Sequence, residues 1–197
     1  MLELAVLGLL SDAPLHGYEL RQRLKATLGA FRAFSYGSLY PTLRRMREAG
    51  WIAEDEGDAV IVAGAPPLTG RRGKVVYKLT ADGKERLAEL LRDAGPSAWE
   101  DETFGVHFAL FARTDPEVRV RILEGRRSRL EERREGVRST LARTRARLDQ
   151  YTLQLQEHGL ESVDREVRWL NELIESERAS APLARPPHVT PDPTPSP

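Results

Sequence analysis

The amino-acid sequence predicts a mainly α-helical protein with a small β-hairpin, built as an amino-terminal winged helix-turn-helix plus a carboxy-terminal long-helix dimerisation domain. Residues 1–92 contain three short helical segments, a β-prone hairpin and a fourth helix, which is the element order of a winged helix-turn-helix. The second half instead carries apolar residues that repeat by seven, the spacing of a coiled coil. We therefore predict domains at residues 1–92 and 93–180, followed by a proline-rich, disordered tail at 181–197.

The composition excludes several classes of protein. The 197 residues contain 30 basic and 30 acidic side chains and no cysteine, so disulfides and thiolate metal sites are absent. No apolar run is long enough for a membrane span, and the amino terminus lacks the features of a signal peptide. We therefore predict a cytoplasmic protein without membrane contact. The four histidines are not paired at ligand spacing, and no phosphate loop or nucleophile motif occurs, so no metal, cofactor or catalytic residue is predicted.

The first three helices are defined by apolar spacing and by their stop signals. Leu2 to Leu10 is apolar nearly all round and ends at a turn before Pro14. The second helix is predicted from Leu15 to Gly29, and the third over residues 36–49. The apolar faces of these two helices comprise Gly17, Leu20, Leu24 and Leu28 in the second, and Leu39, Leu43 and Met46 in the third.

The hairpin and the fourth helix follow Gly50, which is expected to end the third helix. Trp51–Ala53 and Val75–Leu79 are β-prone, and turn-forming residues separate them. We predict a two-stranded wing over residues 53–78. Thr80 is expected to cap the fourth helix.

The outward face of the third helix is the candidate nucleic-acid surface. When Leu39, Leu43 and Met46 face the core, the side chains that point away are Gly37, Ser38, Pro41, Arg44 and Arg45, with Tyr40 on the flank. In a helix-turn-helix this face enters the major groove. Proline is tolerated near a helix start, whether Ser35 or Ser38 is the N-cap. The alternative is an ordinary solvated face with two arginines.

The wing strengthens the nucleic-acid interpretation, because Arg71, Arg72 and Lys74 place positive charge at its tip. An acidic cluster on the other side of the hairpin runs from Glu54 to Asp58. Its carboxylates must either point away from DNA or pair with nearby arginines, and both alternatives stay open.

The helical half is predicted to begin with a short helix over FGVHFALFA. Asp115 then caps and Pro116 opens a helix of roughly 40 residues that ends at His158-Gly159. A last amphipathic helix starts near Ser162. The two long helices have narrow apolar stripes, which favours pairing with a second copy over an antiparallel hairpin within one chain. The predicted dimerisation residues are Leu141, Leu148, Leu155, Val163, Val167, Leu170 and Ile174.

Three segments together resemble the PadR family of bacterial transcriptional regulators. They are LHGYEL at 15–20, SYGSLYPTLRRMREAGWI at 35–52 and VVYKLTADGKERL at 75–87. The resemblance covers about 90 residues and is confined to the winged-helix part. The remainder is similar in kind to larger family members with a helical dimerisation domain.

The resemblance implies a homodimeric DNA-binding regulator, usually a repressor, that acts on an inverted-repeat operator. The residues expected to contact DNA are Tyr18, Tyr36, Gly37, Ser38, Tyr40, Pro41, Arg44, Arg45, Arg71, Arg72 and Lys74. The wing is longer than the family pattern, so individual wing contacts do not carry over directly. The alternative function is a winged-helix protein-interaction module without a role on DNA.

Members of the family also respond to small aromatic compounds. The resemblance therefore implies that a small aromatic effector is a candidate partner, and the aromatic side chains that would line its pocket are Trp99, Phe104, Phe108 and Trp169. We favour the interpretation that these rings are plain core over an effector pocket.

Overall fold

The computed structural model describes residues 1–28, 36–55 and 75–180. The helices are α1 (Leu2–Leu10), α2 (Gly17–Leu28), α3 (Leu39–Glu48), α4 (Ala81–Arg92), α5 (Pro96–Trp99), α6 (Phe104–Ala109), α7 (Pro116–Thr144) and α8 (Gln150–Ser180). The strands are β1 (Leu15–His16), β2 (Ile52–Asp55) and β3 (Val76–Leu79). Short 3-10 turns occupy Tyr36–Ser38, Phe111–Arg113 and Arg145–Arg147.

The sheet has three antiparallel strands in the order β1-β3-β2, where a two-stranded hairpin was predicted. Leu15 pairs with Tyr77 and His16 with Val76, so these two residues extend the sheet. The backbone N–H of His16 donates to the Glu19 carboxylate at 2.9 Å. The second helix therefore begins at Gly17, two residues later than predicted, because the sheet competes for Leu15 and His16.

Two local predictions at the wing are confirmed. Gly50 has φ of +78°, the left-handed conformation that glycine adopts without a steric cost. Thr80 caps α4, since its side chain accepts a hydrogen bond from the N–H of Gly83 at 3.0 Å. The hydroxyl of Thr80 also donates to the carbonyl oxygen of Trp51 at 2.9 Å. These contacts join the start of α4 to the end of the α3–β2 turn.

The predicted helix of roughly 40 residues from Pro116 is wrong, because the helix that begins there ends at Thr144. Asp149 then accepts hydrogen bonds from the N–H groups of Tyr151 and Thr152 at 2.9 and 3.0 Å, which is an N-capping arrangement for a new helix. Gly159 lies inside α8 and does not end a helix. Asp115 precedes α7 as predicted, but its side chain makes no capping hydrogen bond.

Helices α7 and α8 pack against each other as an antiparallel hairpin within one chain. Arg119 bonds Glu177 at 2.9 Å near the open end, and Arg145 bonds Glu157 at 3.0 Å near the turn. As the residue number rises along α7, the number of its partner on α8 falls, so the two helices are antiparallel. This is the alternative that the sequence had left open, and it buries Val167, Leu170 and Ile174 inside the chain.

Two hydrophobic cores result. The first core lies between the winged-helix elements, and the second lies between α5, α6 and the α7–α8 hairpin. Helix α6 contributes to both, because Val106 is buried in the first core and Phe104 in the second. Leu110 approaches Gly8 of α1, and Arg113 bonds Ser11 and Asp12 at the end of α1. These contacts attach the helical half to the winged helix.

Candidate nucleic-acid interface

Helix α3 is oriented by its buried face. Leu39, Leu43 and Met46 are at most 2% exposed, as predicted, and Thr42 lies beside them at 6%. The opposite face is open to solvent, with Tyr40 at 52% exposure and Arg44 and Arg45 exposed. The structure therefore presents the predicted outward face of the third helix on the surface.

The amino-terminal end of α3 is a 3-10 turn at Tyr36–Ser38, which leads into the α-helix at Leu39. Pro41 is the third residue of α3, where the missing N–H removes no bond that the helix would otherwise make. Ser38 occupies the N-cap position without a side-chain capping hydrogen bond. Ser35, the other candidate cap, lies outside the described residues. The amino-terminal end of α3 therefore has the backbone N–H groups and the positive end of the helix dipole that favour binding of an anion.

Arg44 on the outward face makes only a loose ion pair. The guanidinium of Arg44 is 4.0 Å from Glu48, at the limit of an ion pair, and its side chain is 71% exposed. An exposed pair of this kind contributes little to stability. Arg44 can therefore turn to a phosphate or a base edge at small cost.

The acidic side of the hairpin is partly neutralised by α3. Arg47 Nη1 lies 2.8 Å from Glu54 Oε2, and this hydrogen bond is the main reason that the pKa of Arg47 is raised. For Glu54, the structure therefore shows the second of the two alternatives, pairing with a nearby arginine. The side chains of the other members of the acidic cluster are outside the described part of the chain.

A groove of about 500 Å³ separates α3 from the sheet. Its lining is mostly apolar, with one cation, and comprises Tyr40, Pro41, Arg44, Val75 and Tyr77. Burial is the main cause that raises the pKa of Tyr77, and the neighbouring Glu54 adds to it. The phenol is therefore neutral at physiological pH.

Gly17 brings α2 close to the two tyrosines at this groove. A Cβ atom on Gly17 would lie 3.4 Å from Tyr40 Cε1 and 3.5 Å from Tyr77 Cε2. The two rings thus approach the same point on the first residue of α2. Tyr18, the next residue, is half-buried, and its hydroxyl accepts a hydrogen bond from Gln22.

The remaining predicted contacts are only partly placed. The backbone of Tyr36 lies in the 3-10 turn and Gly37 is exposed there. The basic residues Arg71, Arg72 and Lys74 lie outside the described residues. Lys78 is exposed on β3. The described part of the interface is therefore α3, the start of α2 and the base of the wing.

The candidate effector residues come together as a packed cluster. Ring centroids are 5.7 Å apart for Phe104 and Phe108, 5.2 Å for Phe108 and Trp169, and 6.3 Å for Phe104 and Trp169. These are contact distances for aromatic pairs. Trp99 packs separately against Gly125, where a Cβ would lie 2.4 Å from its Nε1 atom. Phe104 thus lies inside the second core, and Trp99, Phe108 and Trp169 are partly buried against it, in keeping with the core interpretation.

A buried arginine was missed by the sequence analysis. Arg126 is 7% exposed, bonds Glu166 at 2.9 Å and pairs with Asp101. Its guanidinium also lies 5.3 Å from the centre of the Phe104 ring. Arginines and acidic residues alternate around Arg126 in the sequence, which is typical of a solvated helix face. Its burial becomes visible only when α8 packs back against α7.

The predicted dimerisation residues fall into two groups. Val167, Leu170 and Ile174 pack in the second core with Val163 beside them, so in this arrangement they are not available to a second copy. Leu141 and Leu148 are half-buried, and Leu155 is 67% exposed near the α7–α8 turn. Tyr151, one helical turn earlier, is 81% exposed.

Neither a metal cluster nor a membrane-spanning helix is found among the described residues. Within residues 1–28, 36–55 and 75–180, no three metal-ligating side chains come together. Over the same ranges, none of the helices combines the length and the apolar character that crossing a membrane requires.

Comparison with known proteins agrees with the sequence resemblance over the winged helix. Residues 6–89 match the transcriptional regulator PadR-like family. The negative transcriptional regulator PadR of Bacillus subtilis (strain 168) is 30% identical over 91 residues, which cover 46% of this chain and 45% of that protein. The match thus spans less than half of that relative's own length.

Solved structures show a weaker similarity. Bacillus subtilis PadR in complex with operator DNA is 20% identical with a TM-score of 0.40, and the match covers 89% of this chain and 98% of that chain. The PadR-like transcriptional regulator BC1756 from Bacillus cereus is 19% identical with a TM-score of 0.40, covering 92% and 100%. Bacillus subtilis PadR in complex with p-coumaric acid is 20% identical, also at 0.40, covering 90% and 98%.

Proposed function

We propose that this chain, whose residues 6–89 match the transcriptional regulator PadR-like family, is a regulator that binds double-stranded DNA. The observation that carries the proposal is the outward face of α3, where Tyr40, Arg44 and Arg45 are exposed beside the wing. A helix with one buried face and one basic face at this position in the fold suits the major groove.

The contacts follow from the chemistry of the side chains. Arg44 and Arg45 lie on the exposed face of the helix, where guanidinium groups reach guanine edges or phosphates. Tyr40 and the backbone N–H groups near Ser38 lie at the amino-terminal end of the helix, where a phosphate oxygen is favoured. The wing, with Arg71, Arg72 and Lys74 near its tip, lies along the sugar-phosphate backbone in this proposal.

The proposal includes negative regulation and a homodimer on an inverted-repeat operator. The curated relative is a negative regulator by name, which supports the repressor assignment. In the dimer we assign the contact to the exposed side chains near the α7–α8 turn, Tyr151 and Leu155, together with Leu148. Large apolar side chains at such exposure favour burial against a partner. Sedimentation of wild type and of Leu155→Glu tests this, since the charged variant is expected to be monomeric.

The test of DNA binding is fluorescence anisotropy with DNA from the promoter region of the gene itself. A scrambled fragment serves as control, and both are measured at two salt concentrations. Arg44→Ala should weaken binding to the specific fragment by about 1–3 kcal/mol if the side chain reads a base. The matched control is Arg168→Ala, which removes an exposed arginine of α8, outside the winged helix.

The outcomes separate the alternatives. Loss of affinity in Arg44→Ala alone supports base recognition by α3. Equal affinity of both variants and wild type for the specific fragment contradicts the assignment of Arg44. Absence of binding to any fragment at low salt favours the protein-interaction module over a DNA-binding regulator.

A further inference from the structure

Helix α3 is held against the sheet at two points on the same flank. Near its start, the Tyr40 ring of α3 and the Tyr77 ring of β3 both approach Gly17, within 3.4 and 3.5 Å of where a Cβ atom on that residue would lie. Near its end, Arg47 bonds Glu54 of β2 at 2.8 Å. Tyr40 and Arg47 are seven residues apart, so they project from almost the same side of the helix, about 10 Å apart along its axis.

The two points are connected through the sheet. Glu54 and Tyr77 are directly paired across β2 and β3. The groove lined by Pro41, Arg44 and Val75 lies beside the first point. The buried side chains Leu39, Leu43 and Met46 already fix which face of α3 points inward, so the two flank contacts limit only the small rotations and tilts that core packing still allows. With both contacts in place, the directions of the exposed side chains are defined relative to the wing.

We propose that Arg47 and Glu54 are positioning residues that set the orientation of α3 for recognition of a specific DNA sequence. This rests on the proposed function. Arg47 then acts through Glu54 and does not supply a phosphate contact, although it is a basic residue on the recognition helix. The side chains of this pair are 44% and 31% exposed, so both are on the surface and neither is needed to fill the core.

Simple electrostatics and positioning give opposite expectations for one substitution. Glu54 carries a negative charge beside the proposed DNA surface, so its removal by charge alone strengthens binding to every DNA. It also releases Arg47 to reach a phosphate, which steepens the dependence of affinity on salt by about one counterion. Positioning predicts the reverse for the specific site, because α3 loses one of its two flank contacts with the sheet.

The experiment compares Glu54→Gln with the matched control Glu48→Gln. Glu48 is an exposed carboxylate of α3 that lies 4.0 Å from Arg44, so its removal changes the charge without touching the attachment to the sheet. We expect Glu54→Gln to lower affinity for the specific fragment by about two- to five-fold, the range typical of surface ion pairs. Its affinity for the scrambled fragment should not fall. Glu48→Gln should bind both fragments at least as tightly as wild type.

A charge-exchange variant and a measurement without DNA complete the test. The double variant Arg47→Glu/Glu54→Arg keeps the pair and should recover most of the lost affinity for the specific fragment. In the free protein, Glu54→Gln should speed hydrogen exchange of the amides at the end of α3, because the helix end is less restrained there. Glu48→Gln should not change this exchange.

The opposite results would overturn the inference. Tighter binding of Glu54→Gln to both fragments with a steeper salt dependence makes Arg47 a phosphate contact held back by Glu54. Unchanged affinity and unchanged exchange remove any role of the pair. If wild type binds no fragment, the proposed function fails, and hydrogen exchange alone then decides whether the pair restrains α3.

Discussion

Replacing Leu170 by alanine tests the helical hairpin directly. Leu170 is 0% exposed in the second core, between α8 and α7. The change removes three carbons, which at about 0.8 kcal/mol each corresponds to roughly 2.4 kcal/mol of lost burial. The cavity left behind raises the expected loss in the free energy of unfolding to about 3–5 kcal/mol.

The matched control is Leu155→Ala, on the same helix with a side chain that is 67% exposed. It should change the free energy of unfolding of the monomer by no more than about 0.5 kcal/mol. Urea unfolding followed by circular dichroism, at low and high protein concentration, gives both values. A continuous helix paired with a second copy would bury Leu155 in the heptad stripe. If, at low protein concentration, Leu155→Ala lowered the free energy of unfolding as much as Leu170→Ala, the hairpin would be refuted.

Further predictions concern glycines and one histidine. Gly83→Ala should destabilise by about 3 kcal/mol, since its Cβ would lie 2.0 Å from the Trp51 carbonyl oxygen. A Cβ atom on Gly136 or Gly159 would face open space inside a helix, so each alanine variant should raise the free energy of unfolding by about 0.5–1 kcal/mol. If Gly159→Ala instead destabilised the protein, the prediction that a helix ends at Gly159 would be supported. Burial lowers the pKa of His107 below its usual 6.5, so the unfolded chain binds the extra proton first. Wild type should lose stability as pH falls below about 6.5 relative to His107→Gln in thermal melts, whereas parallel curves would contradict this.

Local signals were sufficient for the helices of the winged helix. Leu39, Leu43 and Met46 repeat at helical spacing, and their burial also defines which side of α3 faces outward. Gly50 and Thr80 mark the ends of helices through backbone geometry and one hydrogen bond, both of which act within a few residues. Predictions of this kind depend on short-range chemistry that the sequence displays directly.

The parts that sequence analysis missed depend on contacts between distant segments. Strand β1 exists because Leu15 meets Tyr77, more than sixty residues later. The heptad pattern through Leu155 favoured one long helix, but it is equally compatible with two helices that fold on each other. Asp149, which caps α8, has a helical sequence pattern both before and after it. In the sequence it therefore resembles a surface residue of one continuous helix. The pairing of Arg47 with Glu54 likewise requires knowing how α3 crosses the sheet.

The return of α8 along α7 has a practical consequence for labelling the protein. A helix of 29 residues is about 44 Å long, so a straight continuation would carry later residues far from the winged helix. Instead Arg178 pairs with Glu124, and Glu177 with Arg119 near the start of α7. A fluorophore placed near Ser180 therefore sits beside the junction of the two halves, whereas one placed at Arg147 sits at the remote tip. The distance between two such dyes therefore measures the length of the folded hairpin.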